Sequence, residues 1–410
     1  MKKNIRGTLL YFIILFIIIG INYKVWDINS IFIPSNYLNW DAEWYLSIVL
    51  EGYSYIGNST CNLAFFPVFP YLWKFSLLNE VGISIINFFL FVTSLNLLLY
   101  KVNNSVTQII YFLSLPSMFF FAIPYSESIF FVFGTLILIG YRKQNPYLKN
   151  IGFLCSSMTR SVSVIFVPAI ILTELISKKK DWKGVLLSVV CCVAGTLFSA
   201  IVQYSQTGKW FYFLEVQRFW NRTLQFPKFP FTTFSTDLTI GLDTFALLIG
   251  VASIIITIII FWKRLSTFSK HNFSDSNQEM IFCLLFISAT TTLDCLFTNL
   301  IGNQTNIWSI NRHIIASPFG VYLLFLFIKS DKMSDNLKLT IFLVLGVFMI
   351  FLTDTHKYMF SLIFYIIAVI SLAYFSLSRQ ESFYKIIIAA ILIEFQIIFF
   401  SNFLSYKWIG

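Results

Sequence analysis

The sequence predicts an all-α polytopic membrane protein, and three observations carry that reading. Of its 410 residues 57% are hydrophobic and 12% charged, and the mean hydropathy is +0.77. A water-soluble domain of this length could not hide so much apolar surface, so lipid must be the solvent. The apolar residues come in repeated runs, several of them near the roughly 20 residues that cross a bilayer as helix. The basic residues, which give a net charge of +10, punctuate the ends of those runs. In a soluble chain that charge would suggest nucleic acid. Here it reads as a topology signal, and no nucleic-acid partner is expected. With no separate soluble domain, residues 1–410 read as one membrane-embedded domain.

Taken in order, the chain opens on MKKNIR and an apolar run without a small-residue cleavage site, so 8–23 is read as an uncleaved first helix. A first external loop covers 24–80. Full spans are expected at 81–100, 106–123, 126–141, 184–205, 242–262, 280–300, 313–328, 338–353, 357–377 and 385–402, about 11 with the first. The segment 150–176 differs, because Arg160 stands in its middle and Pro168 follows. It suits a hairpin of two short helices that enters and leaves on one side.

With the N-terminus in the cytoplasm and that hairpin in place, 19 of the 29 Lys and Arg residues fall in cytoplasmic loops. Among them are Lys101, Lys178, Lys179, Lys270, Lys332 and Arg379. Reading 150–176 as a single span would put Lys178–Lys180 outside, against the positive-inside rule. The loops 24–80, 206–241 and 301–312 then share the external face, and the chemistry is expected there. There is no internal repeat of the kind that marks many transporters. The six cysteines and three histidines form no metal-ligand or disulfide pattern. The 48 phenylalanines suit lipid-facing bulk and interfacial belts, and some could line a groove for an isoprenoid or acyl chain.

The first loop holds three carboxylates, Asp41, Glu43 and Glu51, among Trp40, Trp44 and Tyr45. A helix beginning near Asn39 would set Asp41 in its first turn, where a carboxylate is favoured, and Gly52 could cap it. A second interfacial helix is expected around Tyr71–Leu78. Glu127 falls at the membrane surface between two spans, with Ser126 as a helix cap, and an ionisable group there usually has a partner. Arg160 needs an anion, either a carboxylate or a lipid phosphate. Arg218 and Arg222 are four apart, so on a helix they would share a face. Arg312 precedes the span that contains Pro318. Each also has a plainer reading: ordinary loop charges for Asp41, Glu43 and Glu51, a capped helix start for Glu127, structural pairing for Arg160, and interfacial anchoring for Arg218, Arg222 and Arg312. Together they suit sugar transfer from a lipid phosphate. Cations stabilise the anionic leaving group, and a carboxylate takes the acceptor's proton.

At these residues the chain resembles the PIG-V-like family of mannosyltransferases, in the GT-C class of polytopic glycosyltransferases. The likeness rests on Trp40-Asp41-x-x-Trp44-Tyr45 with Gly52-Tyr53, on Ala64-Phe65-Phe66-Pro67-x-x-Pro70, on Tyr125-Ser126-Glu127-Ser128-x-Phe130, on Thr159-Arg160-Ser161, and on Arg312. The resemblance implies a GT-C fold and a lumenal or periplasmic active site. It also implies a polyprenyl- or dolichyl-phosphate mannose donor and an acidic residue in the first external loop that matters for catalysis, matched by Asp41 as the general base or a group that orients the acceptor. Glu43, Trp44, Tyr45 and Glu127 would support Asp41 or bind a glycolipid or glycan acceptor. Arg160, Arg218, Arg222 and Arg312 would be candidates for the donor phosphate. No cofactor is expected; a divalent metal on Asp41 and Glu43 is conceivable without being required. The expected location is a bacterial inner membrane, or the endoplasmic reticulum if the chain is eukaryotic. A flippase for polyprenyl-linked glycans would use the same arginines without a base, and a non-catalytic subunit would need neither.

Overall fold

The computed structural model describes residues 2–22, 28–100, 102, 105–177, 180–266, 278–330, 334–377 and 382–408. Of the basic residues that argue for orientation, Lys101, Lys178, Lys179, Lys270, Lys332 and Arg379 lie outside the described residues. In chain order the helices are α1 (Lys2–Ile21), α2 (Asp41–Glu51), α3 (Val68–Ser76), α4 (Glu80–Leu98), α5 (Val106–Ser114), α6 (Glu127–Arg142), α7 (Pro146–Thr159), α8 (Ser163–Ile176) and α9 (Trp182–Thr207). They continue as α10 (Tyr212–Glu215), α11 (Thr236–Ser266), α12 (Gln278–Leu296), α13 (Ile310–Ile314), α14 (Pro318–Ile328), α15 (Asp335–Leu352), α16 (Met359–Leu377) and α17 (Phe383–Leu404). Among the described residues, eight helices are long and apolar enough to cross a membrane, or nine if one bent pair counts as a single span. These several apolar helices make the chain an integral membrane protein of the all-α class.

The count differs from the roughly eleven full spans expected, and prolines account for two of the differences. The run 106–123 is no single helix. Leu115 precedes Pro116 and is pushed to an extended ψ of 129°, because the proline ring crowds the α conformation of the residue before it. α5 therefore stops after 9 residues. A 3₁₀ segment Pro116–Ala122 follows, and α6 leaves it at 107°. The run 313–328 breaks at Ser317-Pro318. Ser317 is extended, Pro318 takes the first helical position, and the Ser317 hydroxyl accepts the Gly320 N–H. α14 is left with 11 residues. The segment 150–176 is indeed two short helices, α7 and α8, parted at Arg160–Val162.

Both helices expected in the first loop are present, as α2 and α3. Gly52 closes α2 at φ +84°, its N–H bonded to the Ile48 carbonyl, a conformation that favours glycine. The C-terminal end of α9 holds this loop down. Gln203 Nε2 donates to the carbonyls of Leu63 and Phe65 at 3.0 and 3.1 Å, and Gln206 Oε1 accepts from the Tyr53 N–H at 2.6 Å.

Four two-residue strands, not foreseen from the sequence, lie in the loops. β1 (Thr223–Leu224) pairs with β2 (Phe297–Thr298), and β3 (Leu300–Ile301) pairs with β4 (Gln304–Thr305), both antiparallel. The first ribbon ties the 206–241 loop to the end of α12. Inside the bundle the helices approach through glycine. A Cβ on Gly195 of α9 would meet the Leu154 carbonyl oxygen of α7 at 2.4 Å. Small residues allow such close approach where lipid supplies no hydrophobic drive.

Candidate functional site

Four charged side chains from four separate elements meet in one row. Asp41, in the first turn of α2, accepts from Arg312 Nη1 at 2.5 Å. Arg312 Nε also donates to Glu127 Oε1 at the start of α6. Arg160 Nη1 reaches that same oxygen at 2.6 Å. The order Asp41–Arg312–Glu127–Arg160 alternates in sign and sums to zero formal charge. Glu127 is 0% exposed and Arg312 7%, whereas Asp41 is 25% and Arg160 20% exposed. The middle of the row is therefore buried and paired, and its two ends are open.

Local structure explains the placement. Arg160 caps α7 in extended conformation, its N–H on the Ser156 carbonyl at 3.1 Å, which swings it out of the helix. Arg312 stands on α13. That short helix is pinned by Asp243 of α11, whose Oδ1 accepts from the Asn311 backbone N–H at 3.2 Å and from Asn311 Nδ2 at 2.6 Å. The Arg312 guanidinium lies 4.5 Å over the Tyr125 ring. Burial opposes its charge, but Glu127 and then Asp41 outweigh burial and hold it charged, well above its ordinary pKa. Trp40, Asn221 and Ser309 carry positive φ values of 58°, 57° and 65° and line the same cavity. Non-glycine residues in that region are strained and concentrate at functional sites.

That cavity measures about 630 Å³; Asp41, Arg160 and Arg312 face it, with Trp44, Trp220 and Trp308 in its walls. A second cavity of about 910 Å³ runs beside α8, α9 and α12, with Pro168, Val193, Leu197 and Phe286 among its apolar walls. The two adjoin. Arg160, Ser161, Gln217, Arg222, Arg312 and His313 line both. A polar, ionic compartment thus opens beside an apolar groove, an arrangement suited to a ligand with a charged head and a hydrocarbon tail.

The candidate residues sort accordingly. Asp41, Trp44, Tyr45, Arg160, Arg222 and Arg312 all line the polar cavity, and Glu127 sits behind it as the buried hub. Tyr45 is buried, and its hydroxyl donates to Ser126 Oγ at 2.8 Å. Ser126 makes no side-chain cap on α6, so its role is to receive Tyr45. Glu43 and Glu51 point to exposed surface on α2, and neither lines a cavity. Glu43 thus stands apart from the cavity that Asp41 faces. Among the described residues no cluster of three or more His, Cys, Asp and Glu could hold a metal ion.

Arg218 is also displaced from its expected place. The stretch Val216–Trp220 is a 3₁₀ turn that ends at Asn221 in the left-handed region, so the α-helical spacing with Arg222 never forms. Arg218 bonds Glu215 at 2.7 Å, more than half exposed, while Arg222 turns inward. Burial pulls the Arg222 guanidinium below its ordinary pKa, with Asp294 and Asp41 opposing. Asp243 and Asp294 went unremarked in the sequence although both stand inside apolar runs, which was the available signal. His313, the neighbour of Arg312, carried no role in the sequence reading; its Nδ1 lies 2.9 Å from Asp294 Oδ2.

The chain matches no protein-family model, no curated protein and no solved structure.

Proposed function

We propose that this chain is an inverting membrane glycosyltransferase of the GT-C type. It moves a mannose-type hexose from a polyprenyl-phosphate donor to a glycolipid or glycan acceptor on the external side of the membrane. One observation carries the reading: a cavity holding an exposed carboxylate and arginines adjoins an apolar groove through shared cationic residues. The hydrocarbon tail of the donor would lie in the groove and its phosphate at the junction. The acceptor hydroxyl attacks the anomeric carbon from the polar cavity. The carbon–oxygen bond to the phosphate breaks, its electron pair leaves on the phosphate, and the hydroxyl proton passes to Asp41. Asp41 suits this step better than Glu127, which is fully buried, because a base must reach the proton it takes. The likeness to PIG-V-like mannosyltransferases and a bacterial inner-membrane location belong to the same proposal.

The test is transfer of labelled mannose from a short-chain polyprenyl-phosphate donor by the purified protein in lipid nanodiscs. The reading expects a new glycosidic bond and its loss, by 10²-fold or more, in Asp41→Asn. A protein that moves the lipid-linked sugar across the bilayer and forms no bond would be a flippase, and this reading would fall.

A further inference from the structure

The arginines at the site are not equivalent. Arg160 and Arg312 share Glu127, and Arg312 also holds Asp41, so these four charges satisfy one another. Arg222 makes no ion pair among the described residues, and its guanidinium lies 4.8 Å over the Trp308 ring. The β1–β2 ribbon fixes where it stands. Thr223 pairs with Thr298 and Leu224 with Phe297, and the Gln225 N–H donates to the Leu296 carbonyl at 2.8 Å. The register carries Arg222 just past the end of α12, and its side chain lines the groove together with Asp294 of that helix.

Asp294 in turn holds His313. The imidazole Nδ1 is 2.9 and 3.1 Å from the two carboxylate oxygens. A carboxylate on one ring nitrogen fixes the tautomer and leaves Nε2 for another partner. His313 and Arg222 both line the polar cavity and the groove, at the level where a head group would meet its tail.

We propose that Arg222 and His313, with the imidazole oriented by Asp294, form the seat for the phosphate diester of a polyprenyl-type lipid, while Arg160 and Arg312 hold the acids in place. The proposal rests on the transferase reading and says which cations take the phosphate. Charge balance makes the seat proton-linked. Asp294 and Arg222 offset each other, so a diester with one negative charge is matched when His313 is protonated. The other charged groups around His313 are Arg312 on its own helix, Arg160 at the end of α7, and Asp243 of α11 behind Asn311. Of these, Arg160 and Arg312 are already paired. Ligand binding should therefore take up one proton.

The experiment measures binding of methyl farnesyl phosphate, a diester with constant charge, to the full chain in nanodiscs from pH 5.5 to 8.5. Wild-type affinity should fall as the pH rises, by up to about tenfold per pH unit, as expected for one linked proton. His313→Gln should bind at least tenfold more weakly at pH 6 and lose the pH dependence. Asp294→Asn should weaken binding, because the imidazole loses the carboxylate that orients it. Arg222→Gln should weaken binding at least tenfold at every pH, with Arg222→Lys falling between. Farnesol and dimethyl phosphate should each bind far more weakly, the first lacking the charge and the second the tail. Wild-type affinity and pH profile in folded Arg222→Gln and His313→Gln proteins would overturn the seat, as would farnesol binding as tightly as the diester. Transfer assays on the same preparations separate the two readings. Binding as described without transfer would sink the transferase reading and leave the seat standing.

Discussion

At the scale of single residues, the row Asp41–Arg312–Glu127–Arg160 assigns unlike consequences to like-looking acids. Glu127 compensates two arginines from a site with no solvent access. Its replacement by alanine leaves the buried Arg312 with Asp41 alone and strips Arg160 of its carboxylate. Breaking a buried pair costs about 3–5 kcal/mol, so Glu127→Ala should lower the unfolding midpoint in mixed micelles far more than Asp41→Asn does. An equal, small loss for both would refute the hub role of Glu127. Arg218 makes a complementary case. With its side chain 54% exposed on Glu215, Arg218→Ala should leave transfer rate and donor affinity within twofold of wild type. A large drop would mean the 206–241 loop rearranges around the donor. The sequence foretold that Asp41, Glu127, Arg160 and Arg312 bear charge at a costly place. It could not show that they pair with one another, because residues 41 and 312 are neighbours only after the chain has folded.

At the scale of elements, what was legible followed local rules. The hairpin of α7 and α8 was readable from an arginine inside an apolar run, and α2 from its aromatic, acidic start and terminal glycine. The broken runs at Pro116 and Pro318 were legible in principle, since each proline restricts the residue before it. Hydropathy alone hid them, because the residues on both sides stay apolar. The β1–β2 ribbon was not legible. It joins residues more than seventy apart through two pairs, and two-residue strands carry no periodic signal. Element packing also offers a test of how Arg160 is held. Gly195 of α9 lets the Leu154 and Ser157 turn of α7 approach directly, one turn before Arg160. Gly195→Val forces these helices apart, an overpacking cost of about 1–3 kcal/mol. It should also weaken transfer, because the α7 cap moves with its helix. If transfer is unchanged in a destabilised Gly195→Val protein, Arg160 is not positioned by that contact.

At the scale of the whole molecule, the question is which end of the bundle faces out. α9 has 26 residues and so spans about 39 Å at 1.5 Å per residue, longer than the hydrocarbon core of about 30 Å. Its C-terminal end binds the first loop through Gln203 and Gln206, beside the polar cavity. Its N-terminal end starts at Trp182-Lys183, next to Lys180, which donates to the carbonyl ends of α8. Arg142, the last residue of α6, pairs there with Glu279 at the start of α12 at 3.2 Å. The cavity and this basic end thus lie at opposite ends of long apolar helices, and the proposed topology sets the basic end in the cytoplasm, as the positive-inside rule would have it. Single cysteines in a background freed of the six native ones can decide this. Asn58→Cys, exposed on the loop between α2 and α3, should react with a membrane-impermeant maleimide in intact cells. Lys183→Cys, exposed at the start of α9, should react only after permeabilisation. The opposite pattern would turn the cavity toward the cytoplasm. It would then face soluble nucleotide-activated sugars, and the case for a lipid-phosphate donor would lose its topological support.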